Sequence, residues 1–194
     1  MAESILVSGI NKKERYESLI PQIEFLVEGE SDYIANLSNI LSALKYGLNF
    51  FWAGVYFVRN IHIKRPADFQ NQADEAFFLE ISPDTKNSSF ELVLGPFQGP
   101  VACSRIAYGK GVCGKCWELK KTIIVEDVNQ FPGHISCNSM SKSEIVLPVF
   151  NERGDVVLIL DIDSEKISNF DAIDKMYLEK VAAIIRRCAE KKAN

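Results

Sequence analysis

The apolar residues of this chain change period twice, and that change limits the architectures open to it. From Lys12 to Gly29, the residues Tyr16, Leu19, Ile20, Ile23, Leu26 and Val27 recur at helical spacing and define a stripe that must be buried. Pro21 lies inside the stripe and, lacking an N–H, should kink the helix or mark the start of its second half. Ser31 or Asp32 can cap a second helix carrying Tyr33, Ile34, Leu37, Ile40, Leu41 and Leu44, with Gly47 as its stop. The pattern then turns to short aromatic and β-branched runs: Phe50 to Val58, Ala76 to Ile81, Phe90 to Leu94, Thr122 to Val125, Ile145 to Phe150 and Val156 to Ile162. Helical spacing returns after Ser168, which can act as a cap, in Ile173, Met176, Tyr177, Val181, Ile184, Ile185 and Cys188. Strands bracketed by terminal helices, with no regular strand–helix alternation, predict an α+β fold: a central, largely antiparallel β-sheet flanked by N-terminal and C-terminal helices.

The connections are read from their breakers. Residues 1–10 form a tail, 60–74 an inserted loop, and 82–89 a turn rich in Ser, Pro, Asp and Asn. Gly95 to Pro100 breaks regular structure, Cys116 to Lys121 is a short helix, and Asn151 to Gly154 turns one strand into the next. The polar excursion from Glu126 to Ser143 is long for a compact domain, and loops of that length usually carry function. With no internal repeat or linker, residues 1–194 read as a single domain, large enough to bury roughly two thirds of its unfolded surface. A net charge of −4 gives no basic stripe, so nucleic acid is not an expected partner. The first residues lack the basic and apolar regions of a signal peptide or a membrane span, and the expectation is a soluble, cytoplasmic protein.

Chemistry concentrates between Gly95 and Ser164, which holds Cys103, Cys113, Cys116 and Cys137 of the five cysteines, together with His134. In a reducing compartment such thiols are catalytic, metal-binding or buried rather than permanently bridged. Cys113 and Cys116, followed by His134 and Cys137, have the two-and-two spacing of a zinc site, although Cys103 is left over and a core of this size needs no metal. Gly109 to Gly114 is glycine-rich but lacks the spacing of a phosphate-binding loop. On a strand, Asp161 and Asp163 share one face while Leu160 and Ile162 take the other, and Glu144 is a candidate third acid. Such acids suit a small ligand with an ammonium group, one carboxyl remaining available as a proton donor. Trp52, Gly54 and Tyr56 share a strand face as well; the glycine between two rings leaves a hollow, unless the rings only fill the core. Cys188 lies on the last helical stripe and reads as a buried thiol.

Taken together, Trp52-Ala-Gly-Val-Tyr56, Leu94-Gly-Pro-Phe-Gln-Gly99, Ala102-Cys103, Gly109-Lys-Gly-Val-Cys-Gly114, Phe131-Pro-Gly-His-Ile-Ser-Cys137, Ser143-Glu-Ile-Val146 and Leu160-Asp-Ile-Asp-Ser164 resemble the free methionine-(R)-sulfoxide reductases, which are GAF-domain enzymes. The resemblance runs from the first helix to near the end of the chain. It implies a GAF-like fold and thiol-dependent reduction of free L-methionine (R)-S-oxide to L-methionine. It also implies a homodimer with no bound cofactor or metal, and thioredoxin, with thioredoxin reductase and NADPH, as external reductant. Carried over by position, the three family cysteines are Cys103, Cys113 and Cys137. Of these, Cys137 is assigned as the nucleophile, Cys103 as the thiol that resolves its sulfenic acid as a disulfide and Cys113 as auxiliary, while the sequence leaves the order of attack between Cys137 and Cys113 open. Glu144, Asp161 and Asp163 hold the substrate's amino group, and Trp52 and Tyr56 wall its methyl-sulfoxide end. Cys116 and Cys188 match no family cysteine, and a non-catalytic GAF sensor of redox state, a small ligand or zinc is the alternative reading.

Overall fold

The computed structural model describes residues 5–60, 90–135 and 137–190. The inserted loop beyond Asn60, the strand from Ala76 to Ile81 and the turn at 82–89 lie outside them. Helix α1 (Lys12–Glu28) is capped by Asn11, whose side chain accepts from Glu14 N–H, and it runs unbroken through Pro21 to Gly29. Helix α2 (Tyr33–Leu48) starts at Asp32, whose carboxylate accepts from Ala35 N–H. Gly47 does not stop it: the helix ends at Asn49, which takes the left-handed conformation and donates to Lys45 O. Gly47 is instead where Val7 and Leu19 pack against the helix.

The strands β1 (Trp52–Asn60), β2 (Phe90–Gln98), β3 (Arg105–Ala107), β4 (Ile123–Val125), β5 (Ser143–Phe150) and β6 (Val156–Ser164) form one sheet in the order β3-β2-β1-β6-β5-β4, every pairing antiparallel. Gly95 to Pro100 is not a break in the way its composition suggests. β2 runs on through Gly95, Pro96 and Phe97, and a register shift opposite Gly54 and Tyr56 absorbs the irregularity. Helix α3 (Gly111–Leu119) begins five residues before the predicted Cys116 and ends before Lys121, because its start is fixed by the packing of Gly114 and not by propensity. Helix α4 (Ala172–Glu190) is capped by Asp171, whose carboxylate accepts from Ile173 and Asp174 N–H, rather than by Ser168, which has a positive φ. Ile173 and Met176 fall on its exposed side, while Tyr177, Val181, Ile184, Ile185 and Cys188 are buried as the stripe predicts.

Strand alternation divides the core into two layers. Ala53, Val55, Phe57, Leu147, Leu158, Leu160 and Ile162 face α1, α2 and α4. Trp52, Tyr56, Val146 and Ile159 face the opposite way, into a smaller layer closed by α3 through Val112, Cys113, Cys116 and Trp117. Three helices cover one face and leave the other to a single short helix, α3. A Cβ on Gly114 would stand 2.5 Å from Ala107 O, so α3 sits that close to the sheet edge only because the residue is glycine. Gly114→Ala is expected to destabilise the fold by about 2 kcal/mol, read as a fall of roughly 5 °C in the melting temperature. An unchanged melting curve would show that α3 is free to shift.

Candidate active site

Register assembles the site. Asp163 pairs with Trp52 on one side and with Glu144 on the other, and Asp161 pairs with Gly54 and Val146. Directly opposed residues of an antiparallel pair point to the same face, so two aromatics and three acids from β1, β5 and β6 project together beneath α3. The carboxylate oxygens of Glu144, Asp161 and Asp163 lie within 4.8 Å of one another. These acids line a cavity of about 50 Å³ with Trp52, Tyr56, Cys113, His134, Asn138, Ser141 and Cys137. That volume holds a few water molecules.

Burial sets the electrostatics. Desolvation, with Asp161 and then Asp163 as like-charged neighbours, pushes the Glu144 carboxyl well above its ordinary value. Desolvation and Asp163 do the same to Asp161, against the Cys113 thiol that donates to it. Asp163 is pushed up by burial to about 6, with the Ser141 hydroxyl pulling the other way. One oxygen of Glu144 and one of Asp161 are fully buried and have no hydrogen-bond partner among the described residues. Buried acceptors left empty in this way await a donor, and an ammonium group supplies three.

The expected hollow beside Gly54 is occupied by Trp52 itself: a Cβ there would stand 2.1 Å from the indole ring. The ring stacks with Phe97 at 5.6 Å and its N–H donates to Pro100 O at 3.0 Å, while the Tyr56 hydroxyl donates to Cys103 O at 3.1 Å. The aromatic wall therefore tethers the segment that carries Cys103. Cys103 and Cys137, separated by 34 residues, are joined in a disulfide. Cys137 closes the cavity mouth from the loop, and Cys103 holds it there.

Comparison with known proteins bears on the family and the fold. The GAF domain family matches residues 67–187. The chain is 46% identical to GAF domain-containing protein A of Dictyostelium discoideum, over 95% of this chain and 99% of that one. It is 38% identical to the free methionine-R-sulfoxide reductase of Saccharomyces cerevisiae, over 93% of this chain and 88% of the relative. The chain belongs to the free methionine-R-sulfoxide reductase family. Its fold superposes on the free methionine-R-sulfoxide reductase of Neisseria meningitidis, solved with its substrate, with a TM-score of 0.79 and 37% identity over 98% and 99% of the two chains.

Within this free methionine-R-sulfoxide reductase frame, the remaining thiols separate. Cys113 is buried at the cavity with its pKa raised by desolvation and by Asp161 and Glu144, so it stays a thiol. Cys116 donates to Lys121 O at 3.3 Å and Val146 O at 3.6 Å, and Cys188 is buried in the helical layer. The zinc spacing does not mature into a four-residue site, because Cys137 is bonded to Cys103 and Cys116 turns to backbone carbonyls. His134 lines the cavity, but burial lowers its pKa, so at neutral pH it is not a cation that could acidify a thiol. Ser141 and Asn138 were not singled out from sequence; short polar residues just before a strand look like ordinary turn formers.

Proposed function

We propose that the chain reduces free L-methionine (R)-S-oxide to L-methionine. The observation that carries this reading is the pair of partnerless buried oxygens on Glu144 and Asp161, set in one small cavity with Cys137 and the Trp52–Tyr56 wall. Such an arrangement suits a zwitterion: Glu144, Asp161 and Asp163 receive the ammonium, and the rings receive the methyl-sulfoxide end. A peptide-bound residue has no free ammonium to offer, which limits the substrate to the free amino acid.

Reduction of the disulfide frees Cys137, and its thiolate attacks the sulfoxide sulfur while Glu144 gives its proton to the departing oxygen. Glu144 suits this role because burial keeps it protonated and, unlike Asp161, it receives no thiol hydrogen bond. The sulfoxide sulfur gains two electrons, and Cys137 becomes a sulfenic acid. Cys103 attacks that sulfur, water leaves, and the disulfide re-forms. Cys113 is auxiliary, holding Asp161 through its thiol. Thioredoxin, with thioredoxin reductase and NADPH, returns the bridge to two thiols. No bound cofactor takes part. A homodimer and a cytoplasmic location belong to the same reading.

The separate R and S epimers and a peptide-bound sulfoxide, offered in a thioredoxin-coupled NADPH assay, test this directly. NADPH consumption with the free R epimer alone is expected. Turnover of the peptide, or of both epimers equally, would refute the assigned specificity.

A pH effect follows from Asp163. Its folded value of about 6 lies above the ordinary aspartate value of 3.8, so the folded chain holds that proton more tightly. The resulting stabilisation is complete below the unfolded value, is lost as pH rises through about 6, and amounts to on the order of 2 kcal/mol. Compared with Asp163→Asn, the unliganded wild type should therefore lose relative stability between pH 4 and pH 7. Over the upper part of that range KM should fall, because the ionised carboxylate is the form that attracts ammonium. Paired denaturation curves and KM values across the range check both signs.

A further inference from the structure

A second cavity, of about 440 Å³, opens between the start of α1, the end of α2 and the segment that leaves β6, and its volume is in the range of small-molecule sites. The charges that face it do not balance. Lys12 and Asp174 are committed to each other: the Lys12 ammonium donates to Asp171, Asp174 and Asn169 O, and Asp174 also accepts from the Tyr16 hydroxyl. That leaves Arg15, Lys45 and Lys166 facing the cavity against Glu165. Among the described residues none of these three cations is in an ion pair. Arg15 gives an N–H to Gly47 O, and Lys45 donates to Phe50 O and Phe51 O, so carbonyls fix both side chains at the cavity while their charges stay unmet. Both are half-buried, whereas Glu165 is exposed and its charge is screened by water. Half-buried charge without a counter-charge opposes folding, and an anionic ligand would reverse that cost. Leu48, Phe50 and Phe51 give the same cavity an apolar wall.

From this placement we infer that the second cavity binds a small organic dianion, a phosphate ester or a dicarboxylate, with its oxyanion held by Arg15, Lys45 and Lys166 and its apolar body against Leu48, Phe50 and Phe51. The planar fork of Arg15 matches two oxygens of one phosphate or carboxylate, and a single carbonyl leaves most of its donors to the ligand. Lys45 keeps a third N–H beyond its two carbonyls. Lys166 is exposed and makes no side-chain hydrogen bond among the described residues, so it closes on the ligand from the solvent side. The chain as a whole carries a net charge of −4, which makes three uncompensated cations around one hollow a local feature and not a property of the surface. Phe51 is a wall of both cavities. The acids of the catalytic cavity repel the ligand that the second one attracts, so the two sort small molecules by charge.

Titration calorimetry of the full chain with inorganic phosphate, phenyl phosphate and succinate, in a buffer free of other multivalent anions, tests this. One saturable site per chain is expected, with phenyl phosphate held more tightly than inorganic phosphate because its ring reaches the apolar wall. The tighter of phenyl phosphate and succinate tells a phosphate ester from a dicarboxylate. Lys166→Gln and Arg15→Gln should each weaken binding about tenfold, the loss of one charge-assisted contact, and Arg15→Lys should recover part of it. Because Lys166 is exposed and unpaired, its variant should keep the wild-type melting temperature and decides the question even where Arg15→Gln fails to fold. Lys120→Gln, which removes a cation that pairs with Asp155 outside the cavity, should leave binding unchanged. No saturable binding of any of the three anions, or equal weakening by Lys120→Gln and Lys166→Gln, would overturn the site. No sulfoxide and no reductant enter the titration, so its outcome is separate from that of the substrate assay.

Discussion

Cys137→Ser is expected to abolish methionine formation under every reductant, and Cys103→Ser to leave about one methionine per chain before thioredoxin-driven turnover stops. Serine keeps the size of cysteine but its hydroxyl stays protonated at neutral pH, so no nucleophile faces the sulfoxide sulfur. Without Cys103 the first attack still occurs, but the sulfenic acid has no neighbouring thiol to condense with and persists. Dithiothreitol, which reduces sulfenic acids directly, should therefore restore turnover to Cys103→Ser and not to Cys137→Ser. Both residues sit at the surface end of the site, Cys137 exposed and Cys103 half-buried, so the melting temperatures of the reduced variants should stay close to the reduced wild type. Rapid-quench measurement of methionine against enzyme concentration distinguishes the two. Full activity in Cys137→Ser would transfer the nucleophilic role, with Cys113 the remaining thiol on the cavity.

Asp161→Asn should raise stability and lower activity together. The carboxyl is 6% exposed, stands opposite Gly54 at the centre of the sheet, and has one oxygen with no partner among the described residues. Holding it there, beside Glu144 and Asp163, opposes folding through desolvation and like charge. An amide of the same shape escapes both effects and still accepts from the Cys113 thiol, which should gain on the order of 1–2 kcal/mol. Losing a charge-assisted bond to the substrate's ammonium should cost about 2–3 kcal/mol, or a fall of roughly 30- to 150-fold in kcat/KM. Thermal denaturation without substrate and kcat/KM for the free R epimer measure the two sides. A variant that is less stable, or that retains wild-type kcat/KM, would mean that Asp161 braces the sheet rather than binding substrate. A site that opposes the stability of its own empty state is the usual consequence of preorganising charge for a ligand.

Much of the architecture was readable because periodicity records which face of an element is buried. The α1 and α2 stripes, the alternation through β1 and the shared face of Asp161 and Asp163 are local properties, fixed by helical and strand geometry. The failures fall where a distant partner decided. β2 continues through Gly95 and Pro96 because β1 pairs with it across a register shift, against the composition of the segment. α3 reaches back to Gly111 because Gly114 lets it close on Ala107 O, a contact between elements that no window of sequence contains. The cap of α4 moved from Ser168 to Asp171 because Ser168 N–H is bonded to Glu126 O, across the domain.

For the site, the residue types in the chain determined the available chemistry: thiols for redox, acids for a cation, aromatics for an apolar tail. Only the tertiary structure decided how they combine. Sequence left Cys137 open to zinc or to a thiol partner, and the fold bonded it to Cys103 while turning Cys116 to backbone carbonyls. It left Glu144 as a candidate, and the β5–β6 register set it opposite Asp163. The physical reason is range. Periodicity and capping act within a few residues, whereas a shared dielectric, an unpartnered oxygen and a sulfur within bonding reach depend on which strands become neighbours.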